Sequence, residues 1–155
     1  MQFITLPAAI TLTEWSERTF WRKFADGSLA RETVNGKAMI AFDLIKPHLC
    51  LALATEDLVI LERAVTGDAE AQNEMALMFL ANKKPKGAIY WLEQAAKQGY
   101  PDAMNLLSQC YMAGNGLPQD ENTGMIWLAK AATQGHLISQ CQMQGLRNKN
   151  GGNSL

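Results

Sequence analysis

The residues best suited to contact chemistry lie close together near the start of the chain. Arg18, Trp21, Arg22 and Lys23 fall within a few positions of one another, and a helix would place Arg18 and Arg22 one turn apart on the same face. The arginine fork donates two parallel hydrogen bonds, which suit guanine edges and phosphates, whereas lysine meets phosphates as a point charge. The cluster therefore predicts contact with double-stranded DNA, and docking of a protein is the alternative.

No comparable group of residues points to catalysis, a cofactor or a metal ion. His48 and His136 lie far apart and have no ligand-type neighbours at metal-binding spacing. No Ser-His-Asp or Cys-His arrangement is visible, although a triad assembled only in space leaves no trace in a sequence. The Gly-x-Gly at 114–116 is too short for a phosphate-binding loop. We therefore expect a protein that is not an enzyme and holds no cofactor and no metal.

Composition limits the remaining classes of function. The chain has 155 residues, 48% of them hydrophobic, and a formal net charge of −1, so no overall basic field attracts nucleic acid or a membrane. Residues 1–48 carry six basic and five acidic side chains, which makes any DNA-binding surface a local one. Three widely spaced cysteines, with neither a signal-peptide pattern nor a long apolar run, favour a reducing cytoplasm and predict no membrane span.

Short helices are expected to position the basic cluster. Pro7 suits the first turn of one helix. Ser16 suits the N-cap of the next, with Trp15 and Phe20 at the two positions that fix the entry of the chain. Phe20 and Phe24 are four residues apart and mark the buried face. The basic residues of this helix are therefore expected to point towards solvent.

A β-hairpin is predicted after this helix. The dipeptide Asn35-Gly36 separates two β-prone runs of six residues, which is a strong hairpin signal. The hairpin contributes Arg31 and Lys37, whose positive charges are suited to phosphates. Asp43 is then expected to cap a further short helix.

This order of elements resembles the winged DNA-binding domain of MerR-type (mercury-resistance) regulators and of phage excisionases, over residues 3–46. The residues that carry the resemblance are Ser16, Arg18, Thr19, Phe20, Arg22, Phe24, Gly27, Leu29, Asn35, Gly36, Asp43 and Leu44. Two features depart from the family pattern: Thr13-Glu14 stands where the turn usually has glycine, and the hairpin is poor in arginine. The resemblance implies a DNA-binding surface made of Arg18, Thr19, Trp21, Arg22, Lys23, Arg31 and Lys37.

A phrase that occurs twice organises the second part of the chain. Residues 91–99 and 127–135 share Trp, Leu, Ala-Ala and Gln-Gly at an offset of 36 residues, and such a period is typical of a helical repeat array. Each phrase predicts a helix that buries its tryptophan and ends at a glycine in the left-handed conformation, Gly99 or Gly135. A partner helix of similar pattern precedes each phrase.

These units resemble Sel-one-like repeats (SLRs), relatives of the tetratricopeptide repeat (TPR), over residues 58–147. The first unit departs from the pattern because its loop is four residues shorter. The resemblance implies an α-solenoid that binds a protein partner in the groove lined by the first helix of each unit. Asn73 and Asn105 occupy the same place on those helices, and with Gln109 they are the candidate groove residues.

The remaining segments complete a mainly α-helical fold. Residues 49–54 are apolar and predict a buried helix rather than a flexible linker, and the next helix is expected to begin at Thr55 or Asp57. Residues 136–147 resemble the first helix of a third unit, with Arg147 in place of an aromatic residue, which suits a terminal cap. The predicted domains are a winged helix-turn-helix at 1–48, an SLR α-solenoid at 49–147 and a flexible tail at 148–155.

Two functions are consistent with this reading. The first is a non-catalytic cytoplasmic adaptor or regulator, in which the winged helix contacts DNA and the SLR helices bind a protein. The alternative is a scaffold for protein–protein interaction alone. The apolar residues Leu137, Ile138 and Met143 on the last predicted helix are expected to be incompletely covered, which predicts a homodimer or docking of another protein.

Overall fold

Helices dominate the structure, a computed structural model that describes residues 3–151. The chain divides into two units, Met1–Thr66 and Gly67–Leu155. Residues 49–66, which the sequence predicts to be part of the solenoid, therefore group with the first unit. Within residues 3–151, no helix has both the length and the apolar character needed to cross a bilayer.

The first unit combines short helices with a three-stranded sheet. Its elements are β1 (Phe3–Thr5), α1 (Leu6–Thr13), α2 (Glu17–Ala25), β2 (Glu32–Val34), β3 (Lys37–Ala41), α3 (Phe42–Ile45), a 3-10 turn (Lys46–His48) and α4 (Thr55–Val65). β1 and β2 both pair antiparallel with β3, which lies in the centre of the sheet. The fully buried side chains Ile4, Leu12, Phe20, Ile40 and Ile45 form the core of this unit.

Local sequence signals in the first unit are confirmed. The Ser16 side chain accepts a hydrogen bond from the backbone N–H of Thr19 at 3.1 Å and caps α2. The rings of Trp15 and Phe20 pack with their centroids 5.3 Å apart, as the staple arrangement predicts. Asn35 and Gly36 both have positive φ, 50° and 76°, which is the geometry of a tight hairpin turn.

Two predictions for the first unit are wrong. Residues 49–54 are not helical: the backbone N–H of Cys50 donates to the carbonyl of Leu12 at 2.7 Å, so the segment bonds to α1 instead of to itself. Asp43 is not a cap, because β3 leads directly into α3 and Ala41 takes the N-cap position. α4 begins at Thr55 as expected, and the Asp57 side chain accepts from the backbone N–H of Ala54 at 2.8 Å.

The second unit is a row of five helices, each packed against the next in sequence. They are α5 (Ala69–Ala81), α6 (Pro85–Lys97), α7 (Pro101–Ala113), α8 (Glu121–Thr133) and α9 (Leu137–Gly151). α5 with α6 and α7 with α8 form two complete pairs, and α9 is the first helix of a third. Residues 148–151 of the predicted tail are helical, and residues 152–155 lie outside the described residues.

The two repeated phrases end in the same way. Gly99 and Gly135 have φ of 84° and 89°, and the residue after each donates its N–H to a carbonyl of the last helical turn, Tyr100 to Ala95 and His136 to Ala131. A glycine at this position satisfies carbonyls that would otherwise be left without a donor. The chain can therefore reverse direction within three residues at both places.

The two tryptophans of the phrases differ in burial. Trp91 is 1% exposed, as predicted. Trp127 is only partly buried, and the Lys130 ammonium lies 4.5 Å from the centroid of its ring. α8 is the second helix of the last complete pair, so no further second helix follows it in the described chain to cover this ring.

Candidate functional site

The exposed side of α2 carries the central residues of the predicted DNA-binding surface. Phe20 is completely buried and Phe24 partly buried, which fixes the inner face of the helix. Arg18 and Arg22 are exposed, and Trp21 between them is 43% exposed. The structure therefore places these three side chains on the solvent side of α2, as the spacing predicts.

Two other predicted contacts are stacked on aromatic rings. The guanidinium carbon of Arg31 lies 4.8 Å from the Trp21 ring centroid and 5.5 Å from that of Phe24. The Lys23 ammonium lies 4.7 Å from the Trp15 ring centroid. Such cation–π contacts contribute about 0.5–1 kcal/mol at exposed sites. Both basic side chains therefore have a preferred position before any ligand binds.

An aromatic row connects these stacks across the first unit. The row is His48, Trp15, Phe20, Phe24 and Trp21, and adjacent ring centroids are 4.8, 5.3, 6.1 and 5.5 Å apart. Rings at these separations pack edge-to-face or tilted and reinforce each other. The row extends from the 3-10 turn to the exposed side of α2, so the candidate surface rests on a continuous aromatic support.

The remaining two candidates have different surroundings. Lys37 is exposed at the start of β3, paired with Val34 next to the hairpin turn. The Thr19 hydroxyl shares a 2.9 Å hydrogen bond with the Ser16 hydroxyl, so it takes part in the helix cap. Lys37 is thus free to meet a phosphate, whereas Thr19 stabilises the start of α2.

An acidic side chain reduces the positive charge of this surface. Hydrogen bonds from the side chain and the backbone N–H of Ser28, helped by the charges of Lys23 and Arg22, hold the pKa of Asp26 below its ordinary value. Asp26 therefore stays ionised at neutral pH at the end of α2. Attraction of a polyanion to this side of the unit is correspondingly weaker.

The candidate groove residues of the repeats are mostly buried. Asn73 is 5% and Asn105 is 4% exposed, whereas Gln109 is exposed. The Asn105 amide donates to the Ser139 hydroxyl at 2.8 Å and to Gln142 Oε1 at 3.3 Å. Gln109 in turn donates to Asn105 Oδ1 at 2.7 Å. Little of either asparagine side chain is therefore exposed, and Asn105 joins α7 to α9.

The equivalent asparagine in the first repeat lacks this network. Asn73 Oδ1 is buried without a hydrogen-bond partner among the described residues. For Asn73, the residue equivalent to Gln109 is Leu77 on the same helix. The residue equivalent to Ser139, on the first helix of the following pair, is Ala103. Neither side chain can donate a hydrogen bond. The asparagine at this repeat position therefore has its hydrogen bonds satisfied in the second repeat but not in the first.

A Ser-His-Asp group that is not apparent from the sequence is assembled in space. His136 Nδ1 accepts from the Ser139 backbone N–H at 3.1 Å and lies 2.8 Å from the Ser139 hydroxyl, and its Nε2 is 3.4 Å from Asp102 Oδ1. Ser139, however, is 0% exposed, and its hydroxyl accepts from Asn105. A buried hydroxyl cannot reach a substrate. The group therefore connects the start of α9 to α7 and is not arranged as a nucleophile.

Acidic side chains lie near the N-terminal ends of α5 and α7. Burial, followed by the charges of Asp102, Glu70, Glu74 and Asp68, raises the pKa of the Tyr100 hydroxyl. These carboxylates lie around the connection between α6 and α7. The negative charges of these carboxylates disfavour the binding of a phosphate there.

An apolar cleft of about 340 Å³ lies between α7, α8 and α9. Its lining includes Met112, Met125, Leu128 and Leu146 together with the exposed amide of Gln109. Flexible methionines let such a surface adapt to different side chains. No group of three or more His, Cys, Asp or Glu side chains within residues 3–151 is arranged to hold a metal ion.

Comparison with known proteins decides the nature of the second unit. Residues 69–100 and 101–136 each match the Sel1 repeat. These two segments of the chain are therefore similar to Sel1 repeats. The predicted SLR architecture is thereby confirmed for these residues, which begin and end inside the predicted range of 58–147.

Two solved structures are similar to part of the chain. The crystal structure of a Sel1 repeat protein from Oxalobacter formigenes is 32% identical over 56% of this chain, with a TM-score of 0.54. The crystal structure of c5321, a protective antigen present in uropathogenic Escherichia coli strains and displaying an SLR fold, is 32% identical over 56%, with a TM-score of 0.52. The similarity spans only 26% and 20% of those chains. No curated protein matches this sequence.

Proposed function

We propose that the chain is a non-catalytic cytoplasmic adaptor that contacts double-stranded DNA with its first unit and a protein partner with its Sel1 repeats. The observation that carries the DNA contact is the solvent-facing side of α2, where Arg18 and Arg22 flank the exposed Trp21. The observation that carries the protein contact is the pair of Sel1 repeats, because repeats of this kind act as protein-interaction scaffolds.

The elements of the first unit support a DNA-contacting role for α2. α1 and α2 are joined by a turn of three residues, 14–16, and α2 is followed by a hairpin. A second helix that presents arginines to solvent is the arrangement with which helix-turn-helix proteins enter the major groove. Arg18 and Arg22 would meet base edges or phosphates, and Lys37 on the hairpin would meet a phosphate.

The DNA contact is tested by titrating the full chain against a labelled duplex at low and moderate salt. Arg22→Ala should weaken binding to a specific site by about 1–3 kcal/mol. Lys97→Ala is the matched control, because it removes one positive charge from an exposed position in the repeats. If the unaltered protein binds no duplex at low salt, where non-specific attraction is strongest, the DNA half of the proposal is wrong.

The protein contact is assigned to the first helices of the repeats and the cleft beside them. Gln109 is the one groove candidate of the three that is exposed, and it lines the apolar cleft. A photo-crosslinking residue at position 109 should give a defined adduct with the partner, while the same residue at position 133, exposed on α8, should not. Equal adducts from both positions would contradict this assignment.

A scaffold that binds only proteins is the second candidate function. The small net positive charge of residues 1–48 and the ionised Asp26 favour it, because DNA-binding surfaces are usually strongly basic. In that case the exposed Trp21 and its arginines would dock a protein, since tryptophan and arginine are enriched where interfaces concentrate their binding energy. The duplex titration separates the two functions.

A homodimer is also part of the proposal. Leu137 and Ile138 at the start of α9 are 74% and 62% exposed, and large apolar side chains at the end of a repeat array are typical of a surface that another chain covers. Two copies would also bring two weak DNA-contacting units together, which is how helix-turn-helix proteins gain affinity.

A further inference from the structure

We infer that Trp21 is a positioning residue, which holds the Arg31 guanidinium so that Arg31, and not the tryptophan itself, meets a DNA phosphate. This inference rests on the DNA contact proposed above and assigns different roles to two neighbouring residues. The sequence alone leaves Trp21 with two roles, packing on the sugar-phosphate backbone or contact with the hairpin. The contacts of its ring distinguish between them.

The Trp21 ring is held in place by its own helix. Its Nε1–H donates to Glu17 Oε1 at 3.2 Å, one turn earlier on α2. Its ring also packs edge-on against Phe24, with centroids 5.5 Å apart and ring planes at 83°. An indole fixed at its N–H and at its edge presents one face in a defined direction, and that face is occupied by the guanidinium of Arg31, 4.8 Å from the centroid.

Arg31 precedes β2, a strand whose side chains are all exposed and whose ladder partner is β3. The segment between α2 and β2 is anchored by the buried Leu29, whose N–H donates to the carbonyl of Lys23 at 3.1 Å. The Arg31 side chain supplies a second anchor, from the beginning of the hairpin back to α2. The stack therefore holds the guanidinium over the rings of Trp21 and Phe24 on α2.

A stacked guanidinium keeps its hydrogen-bonding edge. The face of the group lies on the indole, whereas its five N–H donors point outwards in the plane. No acidic side chain pairs with Arg31 within residues 3–151, and the side chain is exposed. The donors are therefore available for the two oxygens of one phosphate, and the rotamer entropy that a free arginine would lose on binding has already been lost in the stack.

The test is a salt titration of duplex affinity with variants of the full chain. The probe is a mixed-sequence duplex of about 20 base pairs, two helical turns. Arg31→Gln should lower the slope of log affinity against log salt by about 0.9, the value for one phosphate contact. Trp21→Ala should weaken binding about two- to tenfold at every salt concentration without changing the slope, because Arg31 still reaches the phosphate but must be ordered first.

Two further variants distinguish a positioning role of Trp21 from a general loss of structure. Trp21→Phe keeps an aromatic face and should restore most of the affinity lost in Trp21→Ala. Adding Trp21→Ala to Arg31→Gln should lower the duplex affinity little further than Arg31→Gln alone, because Trp21 then has no arginine to position. A Trp21→Ala change that lowers the slope, or that adds its full cost to Arg31→Gln, would overturn the inference while leaving DNA binding intact. Absence of any binding by the unaltered protein would overturn the DNA proposal and this inference together.

Discussion

At the scale of single residues, the two repeats show how a buried polar position is satisfied or left open. Asn105 has donors and acceptors from Gln109, Ser139 and Gln142. Asn73 takes the same place in the first repeat, but its Oδ1 lacks a partner among the described residues. A buried acceptor without a donor costs about 1–3 kcal/mol. The first repeat is therefore less stable than its sequence similarity to the second suggests.

Replacing Leu77 by glutamine should remedy this defect. Leu77 is the repeat equivalent of Gln109 and is 45% exposed, so the exchange loses little buried apolar surface. The new amide can donate to Asn73 Oδ1 as Gln109 donates to Asn105. We expect a gain of about 0.5–1.5 kcal/mol in the free energy of unfolding, measured by urea denaturation.

The control for this exchange is the same change in a chain that also carries Asn73→Ala. Without the acceptor, Leu77→Gln should no longer stabilise the protein, and the difference between the two backgrounds measures the new hydrogen bond. A gain of equal size in both backgrounds would show that Leu77→Gln acts through exposure of the leucine instead.

Asp120 should contribute a stability that depends on pH. Its carboxylate caps α8 and accepts from the Thr123 hydroxyl at 2.6 Å and from the Thr123 N–H at 3.1 Å. These hydrogen bonds hold the pKa of Asp120 below its ordinary value of 3.8. A carboxyl group with a lower pKa in the folded state stabilises the fold above its unfolded pKa and loses that effect as the pH falls through the folded pKa.

Asp120→Asn is the variant that checks this expectation, because asparagine also caps helices but does not ionise. Urea midpoints measured from neutral pH down to about pH 2.5 should fall less steeply for the variant below pH 3.8. The midpoints of both proteins should run parallel above that pH. An unchanged acid dependence would mean that the cap contributes no charge effect.

At the scale of helices, the position of a residue along the array decides how much it is buried. Trp91 and Trp127 occupy the same place in the repeated phrase, yet only Trp91 is covered on all sides. The sequence predicts their equivalence because it shows the repeat and its period. It does not show which neighbours follow, and the cation–π contact of Lys130 takes the place of a covering helix at Trp127.

Alanine substitution should separate the two tryptophans. Trp91→Ala should cost about 3–5 kcal/mol, the usual cost of removing a fully buried large side chain. Trp127→Ala should cost less, about 1–3 kcal/mol, since part of its ring already contacts solvent. Urea denaturation of the full chain measures both. Equal losses would show that the helix after α8 buries Trp127 more completely than its exposure indicates.

The remaining differences at this scale have physical reasons that the sequence does not display. β1 is three residues long, too short for alternation of apolar and polar residues to appear. Residues 49–54 are apolar enough for a buried helix, but the tertiary hydrogen bond from Cys50 to Leu12 competes successfully with helical hydrogen bonds. By contrast, signals that depend on one or two adjacent residues, such as Ser16 at a cap and Asn35-Gly36 at a turn, predict the local structure correctly.

At the scale of the whole molecule, the sequence predicts the exposure of the basic side chains on α2 better than the exposure of the repeat asparagines. Exposure of Arg18 and Arg22 follows from their spacing relative to the buried Phe20 on a single helix. The surroundings of Asn73 and Asn105 depend on side chains about 30 residues further along the chain, as the Asn105–Ser139 bond shows. The period of the sequence repeat alone does not determine whether such a position faces solvent or the next helix.

Self-association, which we propose from the exposed residues at the start of α9, concerns the whole chain. Ile138 is apolar where the first and second repeats have Glu70 and Asp102, so the end of the array exposes a hydrophobic side chain at a position that is otherwise charged. α9 also has Gln144 and Arg147 where α7 has Ser108 and Tyr111, so this face of α9 is more polar than the equivalent face of α7. Contact between two copies through Leu137 and Ile138 would cover the apolar residues.

Sedimentation of the purified full chain at micromolar concentration should therefore show a dimer. Ile138→Glu, which restores the acidic side chain of the earlier repeats, should shift the protein to the monomer, because a carboxylate buried in an apolar contact is strongly unfavourable. Val59→Glu is the matched control, since Val59 is also a largely exposed apolar residue, 57% exposed, but lies on α4 in the first unit. A dimer that survives Ile138→Glu would place the contact elsewhere. A chain that is monomeric without any substitution would leave the exposed end of α9 to a different protein.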